Sequence, residues 1–242
     1  MSDITVVIPT SPIKSHPDTK IIDECIKSTR AQLPDSEIII TIDGIRDEQS
    51  KFNERYQEYI KRLLHKCLHE YQNVLPIVFH THLHQSGMMN NIIDVIKTPL
   101  MLYVEHDTPL VPDRKIDWDK CKDMIYKGEA NTIRFHFENV IPDEHNYLML
   151  GQEGDFVKTY QWSQRPHLSS VAYYRQVMNS FSDKSRTMIE DLYHGVVIGD
   201  VMKDGMLGWN KHRLWIYHPK GGIQRSYNLD GREDEPKYEM RF

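Results

Sequence analysis

Leu100-Met101-Leu102-Tyr103-Val104-Glu105-His106-Asp107 is an apolar run that passes without a break into two carboxylates. The apolar part predicts a buried strand over residues 100–104, and a carboxylate buried at its end without a partner is costly. A hard divalent cation supplies such a partner. Mn2+ or Mg2+ takes one or two carboxylates and fills its remaining positions with phosphate oxygens and water. On an extended chain Glu105 and Asp107, two residues apart, point to the same side.

Outward from this stretch toward the N-terminus, strand and helix signals alternate. Ile4-Thr5-Val6-Val7-Ile8 is a continuous β-branched run ended by Pro9, the pattern of a strand buried on both faces. Ile21, Ile22, Cys25, Ile26 and Leu33 predict a helix after Pro17 that stops before Pro34. Residues 37–42 (EIIITI) read as a second strand closed by Asp43-Gly44. Phe52, Tyr56, Tyr59, Leu63, Leu64, Cys67, Leu68 and Tyr71 recur at helical spacing and mark a long amphipathic helix. Residues 74–79 predict a third strand, and Ser86 is expected to cap a helix carrying Met89, Ile92, Ile93 and Ile96. Such alternation implies right-handed βαβ crossovers and an open α/β sheet with helices on both faces. Ligands of such sheets bind beyond the carboxyl ends of the strands.

Toward the C-terminus the pattern is less regular. It predicts a helix over 119–126, strands over 132–137, 155–160 and 170–174, a helix over 187–201 and a last strand over 214–217 that ends at His218. A Gly- and charge-rich tail follows.

The 242 residues fit a single domain. The net charge of −5, with 30 Lys and Arg interspersed among 35 Asp and Glu, offers no basic stripe for a phosphate backbone, so nucleic acid is not an expected partner. The opening MSDITVVIPTSP is too short and too acidic for a signal peptide, and no segment is long enough to span a bilayer. A cytoplasmic location is expected, with peripheral membrane contact left open. Three widely spaced cysteines, Cys25, Cys67 and Cys121, without a CxxC pair, predict free thiols rather than a disulfide or a zinc site.

Taken together, Val6-Val7-Ile8-Pro9-Thr10, Asp43-Gly44, the helix start at residues 87–92 and Glu105-His106-Asp107 occur in the order and spacing of the GT-A glycosyltransferases. They resemble in particular the inverting type, family 2, whose DxD motif Glu105-His106-Asp107 would replace. The resemblance implies a GT-A-like, Rossmann-like open mixed sheet. Residues 1–110 would bind nucleotide sugar and metal, 111–218 the acceptor, and 219–242 would form a tail that could close the site. It implies a nucleoside-diphosphate sugar as donor and a glycan or glycolipid hydroxyl as acceptor.

Residue by residue, the resemblance implies that Pro9 and Thr10 line the nucleoside pocket, that Asp43 contacts base or ribose, and that Asn91 and His106 lie by the donor. Asp107 would be the main metal carboxylate. Glu105 would touch ribose or metal, and His218 would be a late metal-ligating histidine. Glu190-Asp191 resembles the family's ED motif, with Asp191 as general base and Glu190 beside the acceptor. Two positions depart from the pattern. The first acid of DxD is Glu, and the Arg expected near Met89 is absent.

Other segments admit weaker readings. Trp162 and Arg165 sit in a polar loop suited to stacking on an acceptor sugar, against the alternative of a buried Trp anchoring that loop. Lys220 and Arg225 could neutralise the leaving diphosphate, or lie in a solvated extension. His80, His82 and His84 alternate, so on an extended chain they share one side. That geometry suits a transition metal, and the His80-Thr81-His82 pair with the carboxylates downstream motivates the competing reading of a metal-dependent hydrolase. A third reading is a non-catalytic glycan-binding module.

Overall fold

The computed structural model describes residues 2–229. Among the described residues nine strands form one mixed sheet in the order β3-β2-β1-β4-β8-β5-β9-β7-β6. Its first half is the predicted βα alternation. β1 (Ile4–Thr10), β2 (Glu37–Ile42), β3 (Val74–Val78) and β4 (Leu100–Tyr103) are parallel, with α1 (Lys20–Gln32), α2 (Asn53–His69) and α3 (His84–Ile92) between them. A 3-10 turn, Asp47–Phe52, leads into α2. The apolar residues of β1 and β2 are buried on both faces, which is why their sequences show no polar alternation.

Three local expectations are corrected. Pro9 does not end β1. The strand continues to Thr10 because β4 leaves the sheet after Tyr103, so the edge toward which Pro9's missing N–H faces has no ladder to break. Its carbonyl instead accepts from His106 N at 3.2 Å. Nor does Ser86 cap α3. The helix begins two residues earlier, and Ser86 Oγ accepts from Thr187 N at 3.1 Å, tying α3 to the chain ahead of a later helix. Finally, the extended chain expected through Asp107 stops early. Thr108 N bonds Glu105 O at 3.0 Å, so Asp107 lies in a tight turn.

The second half contains α4 (Trp118–Tyr126), β5 (Thr132–Arg134), β6 (Met149–Glu153), β7 (Phe156–Thr159), β8 (His167–Ser170), α5 (Val171–Met178), α6 (Ile189–Asp204), α7 (Met206–His212) and β9 (Leu214–Tyr217). The strand expected over 170–174 is helical. Ser170 Oγ accepts from Tyr173 N at 3.1 Å, an N-cap that starts α5 from a β-branched and aromatic sequence. β8 runs antiparallel to both β4 and β5, so the sheet changes direction beside β4.

One core cluster, with Ile22, Tyr59 and Cys121, covers the α1, α2 and α4 face. A second, with Met89, Trp162, Tyr174 and Tyr193, covers the α3, α5 and α6 face. The cysteines are free, Cys25 and Cys121 buried and Cys67 half-buried. Among the described residues no helix is long and apolar enough to cross a membrane. Residues 230–242 of the proposed tail lie outside the described residues.

Candidate active site

A cleft of about 220 Å³ opens at the carboxyl ends of β1, β2 and β4, beside the place where the strand direction reverses. It is lined by Pro9, Thr10, Asp43, Glu105, His106 and Asp107, and also by His82 and His84, so eight of the residues singled out in the sequence converge here. Sheet order explains this: β2, β1 and β4 are adjacent, and their parallel ends deliver these side chains to one edge.

Each wall has a physical cause. Thr10 is buried with its hydroxyl 3.0 Å from Tyr59 Oη. Asp43, 1% exposed, accepts from Gly44 N at 2.9 Å, Leu83 N at 2.7 Å and His84 N at 3.0 Å. It therefore caps α3 across two loops, with His82 Nδ1 2.8 Å from its Oδ2 in ion-pair range. Gly44 permits this approach, since a Cβ there would lie 2.2 Å from the Thr81 carbonyl carbon. The region expected to present three histidines on one side is not extended throughout. β3 ends at Val78, and His84 starts α3 with φ of +56°.

His106 Nδ1 lies 3.3 Å from the Pro9 carbonyl, which can only accept. Nδ1 therefore carries a proton, and Nε2 is buried without a hydrogen-bond partner. Gln85 donates from Nε2 to Glu105 Oε1, and its Oε1 receives Ile189 N at 3.4 Å. This glutamine links the carboxylate turn to the first residue of α6, and Met188 just before that helix completes the cleft. Asp191 is exposed, with Oδ2 accepting from Thr187 Oγ1 at 3.2 Å, and its charge reaches His84. Glu190 is half-buried and holds Gln164 N at 2.8 Å.

Among the described residues no three His, Cys, Asp or Glu side chains gather into a ready-made metal site. The donor set still fits the expected ion. Glu105 and Asp107 line one cleft with His106, whose Nε2 is buried without a hydrogen-bond partner, and a Mg2+ or Mn2+ site shared with a diphosphate takes only one or two protein carboxylates.

Several expected participants lie elsewhere. His218 and Lys220 line a separate depression with Asn139 and Gly222. β9 stands three strand spacings from β4, roughly 14 Å, too far for His218 to share an ion with Asp107. Arg225 does not line the cleft. It donates to the carbonyls of Gly222 and Gln224 and lies over Tyr217. Asn91 is exposed on the last turn of α3, its amide committed to Gly87 O at 2.7 Å. Trp162 is 2% exposed and packed against Tyr193, so its ring is a core anchor and offers no face to a sugar. Arg165 is half-buried over the Phe137 ring.

The sequence reading missed Gln85 and Arg46 of the cleft wall. Arg46 follows Asp43-Gly44 by two residues, a spacing that could have flagged it.

Burial around this region sets a pH dependence. Desolvation, reinforced by nearby Arg46, lowers His84 to about 4, and desolvation with Arg134 lowers His136 to about 3. Burial also lowers His167 to about 4. A histidine held neutral in the fold but free to protonate when unfolded loses stability as pH falls from about 6.5 toward its folded value. The loss is about 1.4 kcal/mol per histidine per pH unit. Urea midpoints are therefore expected to fall steeply between pH 6.5 and 5 and to be flat above pH 7.5. A midpoint unchanged at pH 5 would contradict the neutral assignments.

No protein-family model and no curated protein matches the chain. Solved structures do. S. aureus TarS superposes with a TM-score of 0.54 at 15% identity, covering 96% of this chain and 37% of its own. S. aureus TarS 1-349 in complex with UDP-GlcNAc gives 0.54 at 13%, covering 93% and 58%. The mannosyltransferase PcManGT from Pyrobaculum calidifontis, in complex with GDP-Man and Mn2+, gives 0.53 at 12%, covering 91% and 58%. The chain thus spans between about a third and three fifths of these proteins' lengths. At this identity the likeness is one of fold, and the chain accordingly has the GT-A-like architecture, an open mixed sheet between two helical layers.

Proposed function

We propose that the chain is a glycosyltransferase that binds a nucleoside-diphosphate sugar in this cleft and transfers the sugar to a hydroxyl of a glycan or glycolipid. The observation that carries the reading is the carboxylate turn Glu105-His106-Asp107, with Asp107 buried and Glu105 half-buried, set beside Thr10 and Asp43 at the direction switch of the sheet. Support also comes from the same fold in proteins solved with UDP-GlcNAc and with GDP-Man and Mn2+.

Asp107 and Glu105 would hold Mn2+ or Mg2+, which supplies charge neutralisation to the departing diphosphate. Pro9, Thr10 and Asp43 would face the nucleoside. Asp191, exposed beside the cleft, would accept the proton of the acceptor hydroxyl as its oxygen bonds the anomeric carbon and the bond to the diphosphate breaks, with inversion. Glu190 would fix the acceptor loop through Gln164 N. The hydrolase reading has less support, because His80 and His82 follow β3 rather than lie on it and, of the two, His82 alone lines the cleft.

The test is a thermal-stability screen of UDP-, GDP- and dTDP-sugars with and without Mn2+. A donor at a hundred times its Kd should stabilise by about 2.7 kcal/mol, and only with metal. Stabilisation by glycans alone, with none from any nucleotide, would favour a binding module and defeat the transferase reading.

A further inference from the structure

Strand register places Tyr103, His167 and Arg134 side by side, since Tyr103 pairs with His167 and His167 with Arg134. They stand at the carboxyl ends of β4 and β5, with the start of α6 close enough for the Glu190 charge to reach Arg134. Arg134 is 5% exposed. Its one side-chain hydrogen bond runs from Nη2 to Gln161 Oε1 at 2.9 Å, and its Nε has no partner. Around it, Tyr103 Oη, both ring nitrogens of His136, His167 Nε2 and His194 Nδ1 are also buried without hydrogen bonds. These five residues supply six of the twelve such atoms among the described residues, so the deficit is concentrated at one place. Unmet polar groups are rare in folded proteins, and a cluster of them marks a place suited to binding water or an ion.

Charge identifies the occupant's class. His136 and His167 are neutral, and burial lowers His194 as well. The fixed positive charges are the guanidiniums of Arg134 and Arg165, which feel one another; Glu190 acts on Arg134 through space and Glu138 lies 4.0 Å from His136 Nε2, but among the described residues no carboxylate forms a direct ion pair with either guanidinium. Glu190 already holds Gln164 N. Water could satisfy the N–H groups but would leave the buried Arg134 guanidinium without a counter-ion in contact, whereas an oxyanion does both. Arg165 and His194 are half-buried, so the cluster is approached between them, and stacking 3.8 Å over Phe137 holds the Arg165 guanidinium in place.

We infer that Arg134, Arg165 and His194 form a subsite for an oxyanion, phosphate or carboxylate, carried by the sugar acceptor. The site adjoins Glu190, one residue from Asp191, and this inference rests on the transferase reading. That reading would place the anion a short distance from the hydroxyl to be glycosylated.

The experiment is calorimetry of the full chain with inorganic phosphate and, separately, acetate. Each titration is run with UDP or GDP and Mn2+ saturating the donor cleft, and again without them. Phosphate or acetate is expected to bind the wild type with the cleft filled, and the stronger of the two names the anion. Arg134→Gln and Arg165→Gln should each weaken that binding at least tenfold while nucleotide affinity is unchanged. Because Arg134 is buried, Arg165→Gln at the half-buried position carries the test if the first variant does not fold. Absence of binding to the wild type, or equal binding by a folded variant, overturns the subsite. If the wild type binds phosphate through these arginines but binds no nucleotide under any condition, the anion site stands and its assignment to a sugar acceptor falls.

Discussion

Asp107→Asn is expected to weaken Mn2+-dependent binding of the nucleoside diphosphate by about a hundredfold, or about 2.7 kcal/mol, while leaving the weak metal-free binding unchanged. Asp107 is 3% exposed, in a turn whose backbone is fixed on both sides. Its carbonyl accepts from Leu229 N at 2.8 Å, and Thr108 N closes the turn onto Glu105 O. An amide of the same shape fits this turn, so the lost charge is the variable being tested. Calorimetry of the nucleotide with and without Mn2+ reads the coupling directly. Equal metal enhancement in variant and wild type would remove Asp107 from the metal site.

Asp191→Asn is expected to lower transfer by about a thousandfold with donor affinity intact, the range over which a positioned general base acts. The contrast with Glu190→Gln is informative because the two acids are placed differently. Asp191 is exposed and bonded only to the Thr187 hydroxyl. Glu190 is half-buried and holds the backbone of Gln164. Glu190→Gln should raise the KM for the acceptor more than it lowers kcat, since it loosens the loop. The reverse split, with Glu190→Gln abolishing turnover and Asp191→Asn mild, would transfer the base role to Glu190.

The first half of the fold was legible because parallel strands buried on both faces are continuous β-branched runs, and Glu37–Ile42 was read at both ends. The cleft wall built from β1, β2 and β4 was legible for the same reason. Its residues follow directly from the ends of β1, β2 and β4, and those strands neighbour one another in a simple order.

The second half resisted reading because its neighbours are distant in sequence. β9 is inserted between β5 and β7, which no local pattern announces, and His218 was carried away from Asp107 by that insertion. At Ser170-Val171-Ala172-Tyr173-Tyr174, β-branched and aromatic residues suggested a strand, while one serine hydroxyl bonding Tyr173 N began a helix. Trp162 and Arg134 show a further limit. Loop composition does not reveal that a Trp is enclosed by three tyrosines, nor that an arginine inside a strand lacks a carboxylate.

The insertion of β9 also bears on the order in which the molecule can assemble. As the chain leaves the ribosome, β3-β2-β1-β4-β8-β5 can form one continuous surface once residue 170 has emerged. The β6-β7 hairpin, although synthesised before β8, has no docking edge until Leu214–Tyr217 arrives to bridge it to β5. Until then both the hairpin and the outer edge of β5 expose unpaired backbone, and a pause in translation at that stage would present two sticky edges to neighbouring chains.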